Sequence, residues 1–182
     1  MPCSNWEHFV PRNKRLFFAL WPDDEVRSHL ADLQTRLPQV QGNWVHPMDL
    51  HITLQFLGAV PTGRQQCILH AASAVQASPF ELEINHLDFW PKPRIAWAGP
   101  EKIPKALLQL VKSFGQNLQE CGFRVERRPY RPHVTLLRKT TPGMPLALPQ
   151  PVLWPVDYFV LAESLPGSGP PWYRVVESWP LS

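Results

Sequence analysis

Leu50-His51-Ile52-Thr53-Leu54-Gln55-Phe56-Leu57 and Pro132-His133-Val134-Thr135-Leu136-Leu137-Arg138 are the two stretches that decide the fold. Each reads His, a β-branched residue, Thr and Leu, and 133 − 51 places the histidines 82 residues apart. Side chains in a strand alternate faces, so His and Thr two positions apart point the same way. Ile52, Leu54, Val134 and Leu136 then point to the opposite, apolar face. Two such strands side by side offer two imidazoles and two hydroxyls to one small anionic group.

Outward from these stretches, the chain repeats one syntax. Leu16 to Trp21 (LFFALW) is a short apolar run that reads as a buried strand. Asp23 can cap a helix whose Val26, Leu30, Leu33 and Leu37 form one stripe, ended by Pro38. The first His strand follows, closed by Gly58. Thr62-Gly63-Arg64-Gln65 reads as a capping box before a second helix with Ile68, Ala72 and Val75 inside. Phe80, Leu82 and Ile84 alternate with Glu81 and Glu83, the pattern of a half-buried strand. The second half gives a strand over 94–98, a Gly99-Pro100 turn and a helix with Ile103, Leu107, Leu110, Phe114, Leu118 and Cys121 on its apolar face. Gly122 stops that helix, and a short strand near 123–125 precedes the second His strand. The tail reads as a hairpin, 156–161 with 172–179, around a Pro/Gly loop. This is a duplicated α+β module: antiparallel sheet lining a central cleft, helices outside. Residues 1–14 show no periodicity and are expected to be a flexible extension, leaving 15–182 as one bilobal domain.

Composition sets the class. With 182 residues, 44% of them hydrophobic, the chain can build a proper core. A net charge of +3 is compatible with a phosphate-bearing ligand. Cys3, Cys67 and Cys121 are isolated and lack a CxxC pairing, which suits a reducing cytoplasm better than a disulfide framework. No apolar signal core or membrane-length stretch is present, so a cytoplasmic monomer without membrane contact is expected. The 22 prolines read as markers of loops and edge strands.

The paired motifs resemble those of the 2H phosphoesterases, most closely the LigT-like bacterial RNA 2′,3′-cyclic phosphodiesterases, also known as 2′-5′ RNA ligases. The resemblance extends to the opening RLFFALWP, the FELEI strand and the RIAWAG strand. It departs at Tyr130, where that family often has Phe, and in the two ends of the chain. It implies a bilobal pseudo-twofold fold, RNA ends or nucleoside 2′,3′-cyclic phosphates as substrate, and 2′-phosphate as product. The near-interchangeable motifs do not tell acid from base; since the 3′ oxygen departs and needs a proton, we assign His51 as the acid that protonates it and His133 as the base that activates water. By the same analogy Phe18 stacks on a nucleobase, with core packing as its competing reading.

The chemistry also follows from residue types. Opening a cyclic phosphodiester needs one proton taken and one given, and histidine does either near neutrality. Thr53 and Thr135 can donate to the non-bridging oxygens, although both are also good strand formers. Arg138 at the strand end can add charge to this phosphate clamp, as the resemblance also implies. Arg127, Arg128, Arg131 and Lys139 form a basic cluster that either steers RNA or is a solvated loop. No Asp, Glu or Cys stands at ligand-like spacing beside either histidine, so neither metal nor other cofactor is expected. A non-catalytic nucleotide-binding module of the same fold is the alternative, which turnover of a cyclic nucleotide would exclude.

Overall fold

A computed structural model of the chain describes residues 13–37, 41–124, 126, 128–141 and 146–182. In chain order these form β1 (Lys14–Leu20), α1 (Asp24–Arg36), β2 (Asn43–Trp44), a 3-10 turn (Pro47–Asp49), β3 (Ile52–Val60), α2 (Thr62–Ser73), β4 (Phe80–Trp90), β5 (Ile95–Gly99), α3 (Lys105–Asn117), β6 (Val134–Arg138), β7 (Leu146–Val156), β8 (Tyr158–Ser164) and β9 (Tyr173–Pro180).

The strands make one antiparallel sheet in the order β7-β4-β5-β6-β3-β1-β8-β9, with β2 beside β6. The two motif strands meet at its centre through a single register pair, Ile52 with Val134. Outward from that pair, β1 flanks β3 as β5 flanks β6, so the halves mirror each other. They are also knitted together: α1 packs on β6 and β7, while α3 packs on β3.

Alternation sorts the faces. Ile52, Leu54, Val134 and Leu136 are buried in the main core with Leu30, Leu33, Leu107, Leu110 and Phe114 from the helices. Phe17, Ala19, Trp21, Val160 and Ala162 form a smaller cluster on the opposite face. At α1 the Asp23 carboxylate accepts the Val26 N–H at 2.8 Å, and Asp24 and Glu25 occupy the first turn, as the sequence implies.

Several expectations need correction. Thr62 lies inside α2, whose cap is Pro61 with no side-chain bond, so the capping box is not formed. Gly58 does not close β3. The strand runs through it to Val60 at φ +73°, a left-handed geometry that glycine adopts freely, opposite a register shift between Leu16 and Phe17. Lys14 belongs to β1 rather than to an extension, and residues 1–12, like Pro38 and Val125, lie outside the described residues. Phe123 and Arg124 form no strand. The hairpin strand begins at Tyr158, since Val156 ends β7.

The cysteines do not all stay apart. Cys67 of α2 and Cys121 just after α3 form a disulfide, with Cα atoms 5.7 Å apart. Side-by-side packing of the two helices joins residues 54 positions apart, a contact that isolated cysteines do not signal.

Candidate active site

Both histidines sit immediately before their strands and are held in the same way. His51 Nδ1–H donates to the Asp49 carbonyl at 2.6 Å, and His133 Nδ1–H donates to the Arg131 carbonyl at 2.8 Å. A carbonyl only accepts, so each neutral ring keeps its proton on Nδ1 and leaves Nε2 open for proton transfer. Thr53 Oγ1 lies 3.2 Å from His51 Nε2. The approach of the second histidine's loop depends on Gly99: a Cβ there would stand 2.8 Å from the Pro132 carbonyl oxygen.

Aromatic rings fix both imidazoles. His51 stacks on Trp21 at 5.4 Å and 11°, with Phe17 at 5.0 Å and the edge of Tyr173 at 5.1 Å. His133 meets Trp90 at 4.5 Å and 69°. Two supporting contacts carry no local sequence signal. Asp49, 1% exposed, accepts the backbone N–H groups of Trp172 at 2.9 Å and Tyr173 at 3.2 Å, pinning the start of β9 to the His51 arm. The Tyr130 hydroxyl donates to the Thr53 carbonyl at 2.9 Å, and burial pushes this phenol well above its usual range. Each joins segments far apart in the chain, so only the fold reveals it.

His51, Thr53, His133, Thr135 and Arg138 all line one cavity of about 530 Å³, within the ~300–1,000 Å³ range of small-ligand sites. Burial lowers the His51 pKa from 6.5 to about 4, against the pull of its Asp49 hydrogen bond; the positive charges of Arg138 and His133 add to the lowering. His133 is lowered too, again chiefly by burial, with its Arg131 hydrogen bond opposing and Arg138 assisting. Both rings are therefore neutral near pH 7 in the free protein. Proton NMR of His51 should give a titration midpoint near 4 without ligand. Inorganic phosphate, an anion that favours the charged ring, should raise it. A midpoint near 6.5 that phosphate does not move would contradict this environment.

Phe18 is not in this cavity. It is 0% exposed, its ring stacked on Phe114 at 4.5 Å with edge contacts to Phe159 and Trp179, so core packing is correct and base stacking is not. Alternation along β1 turns Phe17 toward the cleft instead. In the basic cluster, Arg128 pairs with Glu126 at 2.7 Å, Arg131 and Lys139 are exposed, and Arg127 lies outside the described residues. Among the described residues no group of three or more His, Cys, Asp or Glu could hold a metal ion.

Two imidazoles, two threonine hydroxyls and a guanidinium thus line one cavity on the antiparallel sheet. The family model for LigT-like phosphoesterases matches twice in tandem, over residues 20–97 and 98–172, and the chain belongs to that family. The RNA 2′,3′-cyclic phosphodiesterase of Escherichia coli is 28% identical over 93% of this chain and 97% of its own. That of Thermus thermophilus is 31% identical over 92% and 90%. The crystal structure of E. coli LigT complexed with 3′-AMP superposes with a TM-score of 0.83 at 28% identity, covering 93% of this chain and 99% of that one.

Proposed function

We propose that the chain is a phosphoric diester hydrolase that opens RNA 2′,3′-cyclic phosphate ends to 2′-phosphates by two-histidine acid/base catalysis, without a metal. One observation carries this reading: five side chains suited to a phosphodiester, drawn from two motifs 82 residues apart, line a single cavity. The relatives named RNA 2′,3′-cyclic phosphodiesterase and the LigT complex with 3′-AMP support it from outside the chain.

In this mechanism water attacks phosphorus in line with the departing 3′ oxygen. His133 Nε2 takes the proton of the water, and His51 Nε2–H gives one to the 3′ oxygen as the P–O3′ bond breaks. Because His51 is neutral in the free protein, it must gain its proton as the substrate binds. The anionic diester favours the imidazolium, and the Asp49 carbonyl keeps Nδ1 as the fixed donor. Thr53 and Thr135 donate to the non-bridging oxygens, and Arg138, whose charge already reaches both histidines, balances the growing negative charge. Ligation of a 5′-hydroxyl end to form a 2′-5′ bond follows the same path at the same atoms, with that hydroxyl attacking phosphorus in place of water, His133 taking its proton and the 3′ oxygen leaving with the proton from His51.

The threonines provide the direct test. Thr53→Val or Thr135→Val keeps the strand shape and removes a donor, and each should slow turnover of a nucleoside 2′,3′-cyclic phosphate by roughly 10²–10³. Wild-type rates in both would leave them as strand formers. No turnover by the unaltered protein would favour a binding module instead. We place this activity in the cytoplasm, in a monomer. Among the described residues no helix is long and apolar enough to cross a membrane. The Cys67–Cys121 disulfide withdraws the argument from isolated cysteines for a reducing compartment, and since neither cysteine lines the cavity, its reduction would leave the site's own side chains unaltered.

A further inference from the structure

A second cavity, of about 890 Å³, opens beyond the first and shares Thr53, Phe56 and His133 with it. The two histidine motifs thus stand where two cavities meet. The walls of the second differ in kind. Leu108, Val111, Lys112 and Gly115 face it from α3 at i, i+3, i+4 and i+7 spacing, which places them on one side of the helix. Phe56, 51% exposed with the Arg15 guanidinium 4.9 Å from the centre of its ring, and Leu108, 44% exposed, give this cavity apolar surface. Lys112 and Arg131, both exposed, add positive charge around it, and Arg128 lies beside them, paired with Glu126.

We propose that this second cavity holds the polynucleotide chain leading into the cyclic end, so that the site is built for RNA of two or more nucleotides. The inference rests on the phosphodiesterase reading and adds the position of the chain. A cyclic mononucleotide carries one anionic group, and the first cavity already surrounds that group with Arg138 and the threonines. An RNA end carries a further phosphodiester on the 5′ oxygen of the same ribose, and this chain must leave the site past the histidines. An aromatic face beside basic side chains suits single-stranded RNA, where bases stack and phosphates pair with cations. In the second cavity the preceding base lies on Phe56 and Leu108, and its phosphodiester lies near Lys112 and Arg131. The charge matches an RNA chain, and the cavity is continuous with the site that would hold its end.

The test compares one nucleoside 2′,3′-cyclic phosphate with a trinucleotide bearing the same end, in the wild type and in Lys112→Glu. The wild type should show a higher kcat/KM on the trinucleotide. Lys112→Glu should lose on the order of tenfold on the trinucleotide while keeping its rate on the mononucleotide, because reversing one charge acts only on the chain. Equal effects on both substrates, or none, would overturn the proposal. Calorimetric titration of the products gives a second reading that needs no turnover. Binding of the trinucleotide 2′-phosphate should fall more steeply with salt than that of the nucleoside 2′-phosphate, by roughly 0.7 in log–log slope for each added phosphate contact. Identical slopes would remove the chain from the cavity. A wild type that hydrolyses neither substrate would sink the phosphodiesterase reading, and the titration would still decide whether RNA lies here.

Discussion

His51→Ala and His133→Ala should each lower turnover of a nucleoside 2′,3′-cyclic phosphate by roughly 10²–10⁴, the span of a positioned acid or base. The loss should divide differently when the leaving group changes. A nitrophenyl phosphodiester expels a stable anion that needs no proton, yet it still needs an activated water. His51→Ala should therefore recover much of its rate on the nitrophenyl ester, whereas His133→Ala should remain slow on both substrates. The reverse pattern would exchange the two roles, and equal recovery would mean that the rings do not divide the work this way. The pairwise likeness of the contacts makes the experiment necessary. Both rings donate Nδ1–H to the carbonyl two residues back and both feel the charge of Arg138, so these contacts alone do not divide acid from base.

Phe18→Ala should destabilise the fold by roughly 3–5 kcal/mol, lowering Tm by roughly 6–20 °C, because it opens a cavity among Phe114, Phe159 and Trp179. Below its new Tm the variant should bind nucleotides as the wild type does. Thermal denaturation followed by circular dichroism, beside KM on one cyclic nucleotide, separates the two roles. An unchanged Tm with a raised KM would return Phe18 to base stacking. The nearby Phe17 packs against His51 in the smaller cluster and is itself only 3% exposed, so it does not take over base stacking.

Phe18 also shows how far the sequence could be read. The four-residue motifs were legible because alternation alone places His and Thr on one face and Ile, Val and Leu on the other, and the sheet pairs them at Ile52 and Val134. Alternation gave no such guide at Phe18, which stands in a continuous apolar run buried on both faces; of the two readings open for it, core packing is the one its contacts with Phe114, Phe159 and Trp179 support. α1 and α3 were legible from their apolar stripes, with Asp23 capping the first as its position implies. β7 was not. Pro149, Pro151 and Pro155 mask it, and it is tolerated because it pairs with β4 alone at the sheet edge.

What remained hidden was contact between distant segments. Asp49 holds the backbone of Trp172 and Tyr173, Tyr130 reaches the Thr53 carbonyl, and Cys67 joins Cys121. No local pattern announces any of these, because the partner in each case is set by how the two halves cross. Arg138, by contrast, could be placed from its position at the end of the second motif strand, where β2 and β5 bring Asn43 and Ile95 opposite it at the cavity wall.

The claim on which the rest depends is that both histidines address one phosphorus. A crystal structure with a nucleoside 2′-phosphate bound would test it most directly. The phosphate should lie in the cavity of about 530 Å³, with the Nε2 atoms of His51 and His133 and the hydroxyls of Thr53 and Thr135 all within hydrogen-bond distance of its oxygens. A phosphate bound elsewhere, or one touching a single histidine while the other ring faces away, would contradict it.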